Sequence, residues 1–248
     1  LIHGLGLNKS MWKYQVERLK CNYFVVTYDL SGHGESGIPM SEVSLNGFTA
    51  QLKELTEGLN CTRFTIIGFS LGGMIARHFA QRFPSCLEAL IILNSPHIRT
   101  EQAQAAVRQR LLQVLESGPI ATIDDAIQRW FTPEFQIKEK EKIALVRSWV
   151  LANDPNSYSN NYRVLVDGVK EVVGMTDKIR CPTLVVTADQ DFGNGPEMGL
   201  AISKEIRGAK LVVLEGLRHM ALFENPLKIN EHIVDFLNLH IGEGKKFE

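Results

Sequence analysis

Two stretches late in the chain, CPTLVVTAD (181–189) and AKLVVLEG (209–216), are nearly continuous in valine, leucine, isoleucine and other small apolar residues. A strand with one wet face alternates apolar and polar residues, whereas a run that is apolar at almost every position has to be covered on both faces. Similar runs occur in YFVVTYDL (23–30), RFTIIGF (63–69) and LEALIILNS (87–95). Between them lie helical patterns. Phe48, Leu52, Leu55 and Leu59 share one face of 48–59, and LGGMIARHFAQRF is stopped by Pro84. Strands alternating with helices predict an α/β fold, a mostly parallel sheet with crossover helices. With 248 residues, 44 % of them hydrophobic, the chain can fill one large core.

Residues 97–178 break this rhythm. They carry helical periodicity (Ala103, Val107, Leu111, Val114 and Leu115, then Ile143, Val146 and Val150) and almost no strand signal. About eighty residues exceed what one crossover needs, so the stretch reads as a helical cap inserted into a core made of 1–96 and 179–248. GPIATIDD, FTPEF and ANDPNS divide it into four helices.

A formal net charge of −1 with 22 % charged residues gives no field that would gather nucleic acid or an anionic membrane, which leaves a small molecule as the expected partner. Cys21, Cys61, Cys86 and Cys181 stand singly, without the spacing of a metal site or a disulfide framework, and fit reduced thiols in a cytoplasmic protein. Neither a run of eighteen apolar residues nor a signal-peptide pattern is present.

GFSLG (68–72) matches GxSxG between a strand and a helix, the context a nucleophile elbow requires. Glycines two positions either side of Ser70 leave room for the sharp turn, and the helix start behind it favours a developing oxyanion. A serine hydroxyl needs a base, and the base needs an orienting acid. Of the seven histidines, His219 is the one in a loop at the end of a later strand; His78, His232 and His240 fall in helices, and His33 and His97 read as structural. The loop VVTADQDFGNGP offers two acids. Asp189 ends its strand, where capping its own turn explains it, and Asp191 projects further, so Asp191 is the preferred acid. Asn94 ends the third strand, where an acid would have been the alternative. The order Ser70, Asp191, His219 is that of one convergent triad class. HGLG (3–6) supplies the missing loop, with the amide of Leu5 expected to join that of Leu71 as an oxyanion hole. Trp130, Phe131 and Trp149 are the expected walls of the substrate pocket, with Tyr158 and Tyr162 as further candidates.

Taken together, HGLG, DLSGHGES (29–36), GFSLGG (68–73), ADQD (188–191) and GLRHM (216–220) resemble the α/β-hydrolase fold superfamily along nearly the whole chain. The resemblance implies Ser70 as nucleophile, Asp191 as acid, His219 as base, Leu5 and Leu71 as oxyanion donors, and a cap where the helical stretch lies. FSLGGMIARHFAQRFP, VLANDPNSYSNNYRVL and IRCPTLVVTADQD further resemble 3-oxoadipate enol-lactonases and the small esterases grouped with them, which open a small ester or lactone without cofactor or metal. Ser31 stands where many of those relatives carry arginine, and Phe192 where they carry proline.

The function expected is therefore acyl-enzyme hydrolysis of a small ester or lactone. The alternatives are hydrolysis of a carbon–carbon bond in ring-cleavage products, perhydrolase or peroxidase activity on the same triad, and a binding protein that keeps the fold without turnover. Ser70 argues against relatives with an aspartate nucleophile. LIHGLG reads as the tail of a core strand, and this reading expects further N-terminal strands upstream of Leu1 that the given sequence omits.

Overall fold

In the computed structural model, which describes residues 1–39, 43–174 and 178–242, four of the five apolar runs pair as one parallel sheet. Its strands β1 (Phe64–Phe69), β2 (Leu87–Leu93), β3 (Thr183–Ala188) and β4 (Lys210–Leu214) lie side by side in chain order. Leu90 to Leu93 of β2 face Thr183 to Val186 of β3, and Leu184 to Ala188 face Lys210 to Leu214. The doubly covered strands are those the composition marks: β3 is buried throughout, and β2 at every residue except Glu88. β4 differs, with Lys210 and Val213 exposed, because it has a neighbour on one side alone among the described residues.

The run 23–30 does not join the sheet, contrary to its sequence pattern. Ile2 occupies the place beside β1, bridging Gly68 through Ile2 N to Ile67 O (2.9 Å) and Phe69 N to Ile2 O (3.0 Å). Behind it the Leu1 amino group donates to Val26 O at 2.8 Å, and one such bond does not build a ladder.

Among the described residues eleven α-helices accompany the sheet: α1 (Lys13–Leu19), α2 (Leu45–Gly58), α3 (Leu71–Arg82), α4 (Glu101–Ser117), α5 (Ile123–Trp130), α6 (Pro133–Lys138), α7 (Lys140–Leu151), α8 (Pro155–Asp167), α9 (Pro196–Glu205), α10 (Ala221–Glu224) and α11 (Pro226–His240). α3 packs on β1 and β2, and α9 on β3 and β4. Five of the helices, α4 to α8, fill the stretch between β2 and β3, one more than the punctuation predicts. The extra boundary is between α6 and α7, at Glu139, where neither glycine nor proline marks it. Other boundaries are chemically explicit. Thr100, Thr132 and Asp154 accept from the third amide of their helices, Pro133 and Pro155 open two of them, and Gly118 at φ 71° closes α4. Residues 175–177 of the expected insert and 243–248 of the closing core segment lie outside the described residues.

Candidate active site

The carboxyl ends of β1, β2 and β3, with the loop after β4, converge on one place. Ser70 follows β1 and precedes α3 with φ 55° and ψ −114°, a left-handed conformation that costs a non-glycine residue on the order of 1–2 kcal/mol. Its surroundings hold it there. Ser70 N donates to Leu93 O (2.9 Å), and Ser70 O accepts from Gly73 N (3.0 Å) and Ser95 Oγ (3.0 Å). Both glycines of GFSLG are sterically required: a Cβ on Gly68 would come within 2.3 Å of Gly72 O, and one on Gly72 within 2.2 Å of Ile2 O.

His219 sits in the turn between β4 and α10, buried against the Phe69 ring with centroids 4.8 Å apart. Its Nδ1 is 2.8 Å from Asp191 Oδ2. Asp191 takes three more hydrogen bonds: Asn94 Nδ2 to Oδ2 (2.9 Å), and Gly193 N (3.1 Å) and Asn194 N (3.0 Å) to Oδ1. Burial by itself would raise this carboxyl's pKa, but His219, Asn94 and the Gly193 amide outweigh it and hold the group below the usual aspartate range. Asp191 is thereby kept as an anion against the imidazole. Asp189 is exposed and turned away, accepting from Gly216 N at 2.8 Å. Asn94, itself at φ 46°, is a partner that sequence reasoning missed; its place at the end of β2 was the available signal.

HGLG runs beneath this pair as a tightly tied turn. His3 Nδ1 donates to Gly4 O (2.8 Å) and its Nε2 accepts from Leu30 N (2.9 Å). His33 Nε2 accepts from Gly6 N (3.0 Å), and Gly6 O accepts from Asn153 Nδ2 (2.9 Å). Both rings accept at Nε2, which requires them neutral; burial depresses His3 to about 4 and His33 to about 3. Among the described residues the amides of Leu5 and Leu71 donate to no protein acceptor.

Ser70, Asp191 and His219 line a cavity of about 100 Å³ together with Gly4, Leu5 and Trp130. Leu71 lies outside its lining, fully buried at the first turn of α3. The expected aromatic walls divide. Trp130 faces the cavity with its ring centroid 6.2 Å from that of His219. Phe131 and Trp149 do not line it: Phe131 stacks on Phe135 (5.2 Å), and Trp149 packs edge-on against Phe223 (5.8 Å). Phe131 follows the end of α5 with an extended backbone (φ −125°, ψ 147°), and its ring is fully buried away from the cavity that Trp130 lines. Tyr158 and Tyr162, spaced i and i+4 on α8, complete the aromatic surface. The lining also holds Arg99, Arg110 and Arg129, which the sequence reading passed over. Among the described residues no group of three His, Cys, Asp or Glu side chains is placed to hold a metal ion, and no helix is long and apolar enough to cross a membrane.

A serine on a strained strand-to-helix turn of a parallel sheet, beside a histidine tied to an aspartate, defines an α/β-type hydrolase. Known proteins agree. The model of the alpha/beta hydrolase fold matches residues 1–123. The (E)-2-((N-methylformamido)methylene)succinate hydrolase of Acinetobacter baylyi is 30% identical over 233 residues, covering 93% of this chain and 86% of that protein. The 3-oxoadipate enol-lactonase 2 of the same bacterium is 27% identical over 231 residues, covering 93% and 85%. The crystal structure of the enol-lactonase from Burkholderia xenovorans superposes with a TM-score of 0.87 at 26% identity, covering 96% of this chain and 89% of that one. The chain belongs to the α/β-hydrolase fold family, and it is a hydrolase.

Proposed function

We propose that this enzyme hydrolyses a small carboxylic ester or lactone through an acyl-enzyme on Ser70. The observation that carries the reading is one cavity lined at once by the strained Ser70 and by the His219–Asp191 pair. With Nδ1 committed to Asp191, His219 has Nε2 free to take the Ser70 proton as the hydroxyl oxygen attacks the substrate carbonyl. The two undonated amides, Leu5 and Leu71, receive the oxyanion. Collapse of the tetrahedral adduct breaks the acyl–oxygen bond, and His219 returns its proton to the leaving alkoxide. Water, deprotonated by the same ring, then attacks the acyl-serine; the acyl–Oγ bond breaks, His219 returns the proton to Ser70 Oγ, and the acid leaves. Asp191 holds the ring's orientation and stabilises its cation. No step calls on a cofactor or metal. Residues 97–178 act as a cap over the core formed by 1–96 and 179–248, and the cap sets which substrates fit. The similarity to proteins named enol-lactonase supports lactone opening as the form this hydrolysis takes. The free cysteines suit a cytoplasmic setting.

The test is turnover of 4-nitrophenyl esters and small lactones by wild type and Ser70→Ala side by side. The variant should lose at least about 10⁴-fold in kcat. Full retention of ester hydrolysis by Ser70→Ala would overturn the reading.

A further inference from the structure

The cavity that holds Ser70 is far more cationic than a neutral ester requires. Arg99 at the approach to α4, Arg110 on α4 and Arg129 on α5 all line it, each half-buried. The one carboxylate in the lining, Asp191, is already taken by His219, Asn94 and two loop amides. Among the described residues none of the three arginines forms an ion pair. Arg99 donates to neutral acceptors, Gln104 Oε1 (3.2 Å), Leu165 O (3.3 Å) and Val166 O (3.5 Å). Arg110 Nε is buried with no hydrogen-bond partner. Asp125 and Asp167 act on Arg129 and Arg99 from a distance, without meeting them.

Such an arrangement is unfavourable in the free protein. Burial lowers the pKa of Arg99 to about 10; burial also lowers that of Arg129, and the charge of Arg110 pushes both down further, yet a guanidinium stays charged at neutral pH. Cations gathered in a small cavity without counter-charge repel one another more strongly than they would in water. A negative ligand removes that cost, and a planar guanidinium fork matches a carboxylate with two parallel hydrogen bonds.

We infer that Arg99, Arg110 and Arg129 form a carboxylate subsite, and that the natural substrate is an anionic acyl compound carrying at least one carboxylate besides the carbonyl that Ser70 attacks. This inference rests on the serine-hydrolase reading above and sharpens its substrate class. Ser70 and His219 come from the loops that follow β1 and β4, while the arginines come from α4, α5 and the loop leading into α4, so the substrate is held from two sides. Anchoring the carboxylate there fixes the reacting carbonyl over the serine, the positioning by which bound substrates gain rate. Trp130, Tyr158 and Tyr162 close the space between and keep the carbon skeleton short.

The decisive comparison is 4-nitrophenyl acetate against the mono-4-nitrophenyl ester of succinic acid, which differ by one carboxylate. Wild type should favour the anionic ester by about tenfold or more in kcat/KM at low salt, and the preference should shrink as sodium chloride is raised. In Arg110→Gln and Arg129→Gln the ratio of anionic to neutral kcat/KM should fall about tenfold, through KM, and Arg110→Lys should restore part of it. Equal turnover of the two esters by wild type, or an unchanged ratio in both glutamine variants, would overturn the subsite while leaving the hydrolase reading intact. The converse failure, hydrolysis retained by Ser70→Ala, is separated by calorimetric titration of that variant with succinate. Binding that disappears in Ser70→Ala/Arg110→Gln supports the subsite whatever the nucleophile, whereas equally tight binding of inorganic phosphate overturns a site built for carboxylates.

Discussion

Asp189 Oδ1 takes the Gly216 amide at 2.8 Å, and Asp191 Oδ2, two residues later in the same loop, meets His219 Nδ1 at the same distance. An asparagine in place of Asp191 can still occupy the space but carries no charge for the imidazolium, and its NH₂ group competes for the wrong tautomer of the ring. Asp191→Asn should therefore lose about 10⁴-fold in kcat on 4-nitrophenyl acetate. Asp189→Asn keeps an oxygen for the Gly216 amide at an exposed position and should leave kcat/KM little changed. A larger loss in Asp189→Asn than in Asp191→Asn would reverse the roles assigned to the two acids. The convergence of Ser70, Asp191 and His219 on one cavity was legible because each follows a strand that its apolar run marks, and strand ends are where a parallel sheet gathers its chemistry. Arg99, Arg110 and Arg129 were not legible. Charged residues in an amphipathic helical stretch read as its solvated face, and only the packing of α4, α5 and α8 turns these three inward.

At the scale of elements, the elbow is fixed by what α3 packs against. Gly72 lies in the first turn of α3, and its missing Cβ is what lets that turn approach Ile2 O and His3 O, backbone atoms that cannot rotate aside. Gly208, before β4, has φ +76° but open space around it. Gly208→Ala should then cost only the left-handed penalty of about 1 kcal/mol, or roughly 2–4 °C in melting temperature for a chain of this size. Gly72→Ala adds a backbone collision and should cost at least about 3 kcal/mol, at least about three times the shift in a thermal melt. Equal melting temperatures would show that the close approach of α3 to the Ile2 bridge is not a constraint. The same elements mark where sequence reading stops. β1, β2 and β3 are apolar at nearly every position and pair as read, whereas 23–30 has strand composition without a ladder, because pairing depends on neighbours that composition does not name. The helix break at Glu139 also leaves no mark, since no glycine, proline or capping side chain makes it.

Across the whole molecule, three buried histidines couple stability to pH. His3 and His33 hold the HGLG turn through Nε2, and His78 on α3 shares a hydrogen atom with Thr49 Oγ1 at 2.7 Å. Burial lowers His3 and His78 to about 4 and His33 to about 3, against an ordinary histidine value of 6.5 in the unfolded chain. A depressed folded pKa means that the unfolded chain binds the proton first. The stability is complete above pH 6.5 and is lost as the pH falls toward 4 and 3. His3 and His33 then each contribute about 2 kcal/mol of loss between pH 7 and pH 5, and His78 acts in the same direction. Asp191, also held low, adds its loss only below the ordinary aspartate range. Glu224, raised mainly by burial, works in the opposite sense, because its folded form takes up a proton before the unfolded chain does. The histidines are more numerous and their window lies higher, so the net expectation is acid weakening between pH 6.5 and 4. Urea unfolding at pH 7 and pH 5 measures it. His33→Asn, whose amide oxygen can still accept from Gly6 N, should lose about 2 kcal/mol less between the two pH values than wild type, whatever its stability at pH 7. A pH dependence identical to wild type would mean that the ring beneath the Gly6 turn carries a proton in the folded enzyme, and the tie between His33 and that turn would have to be redrawn.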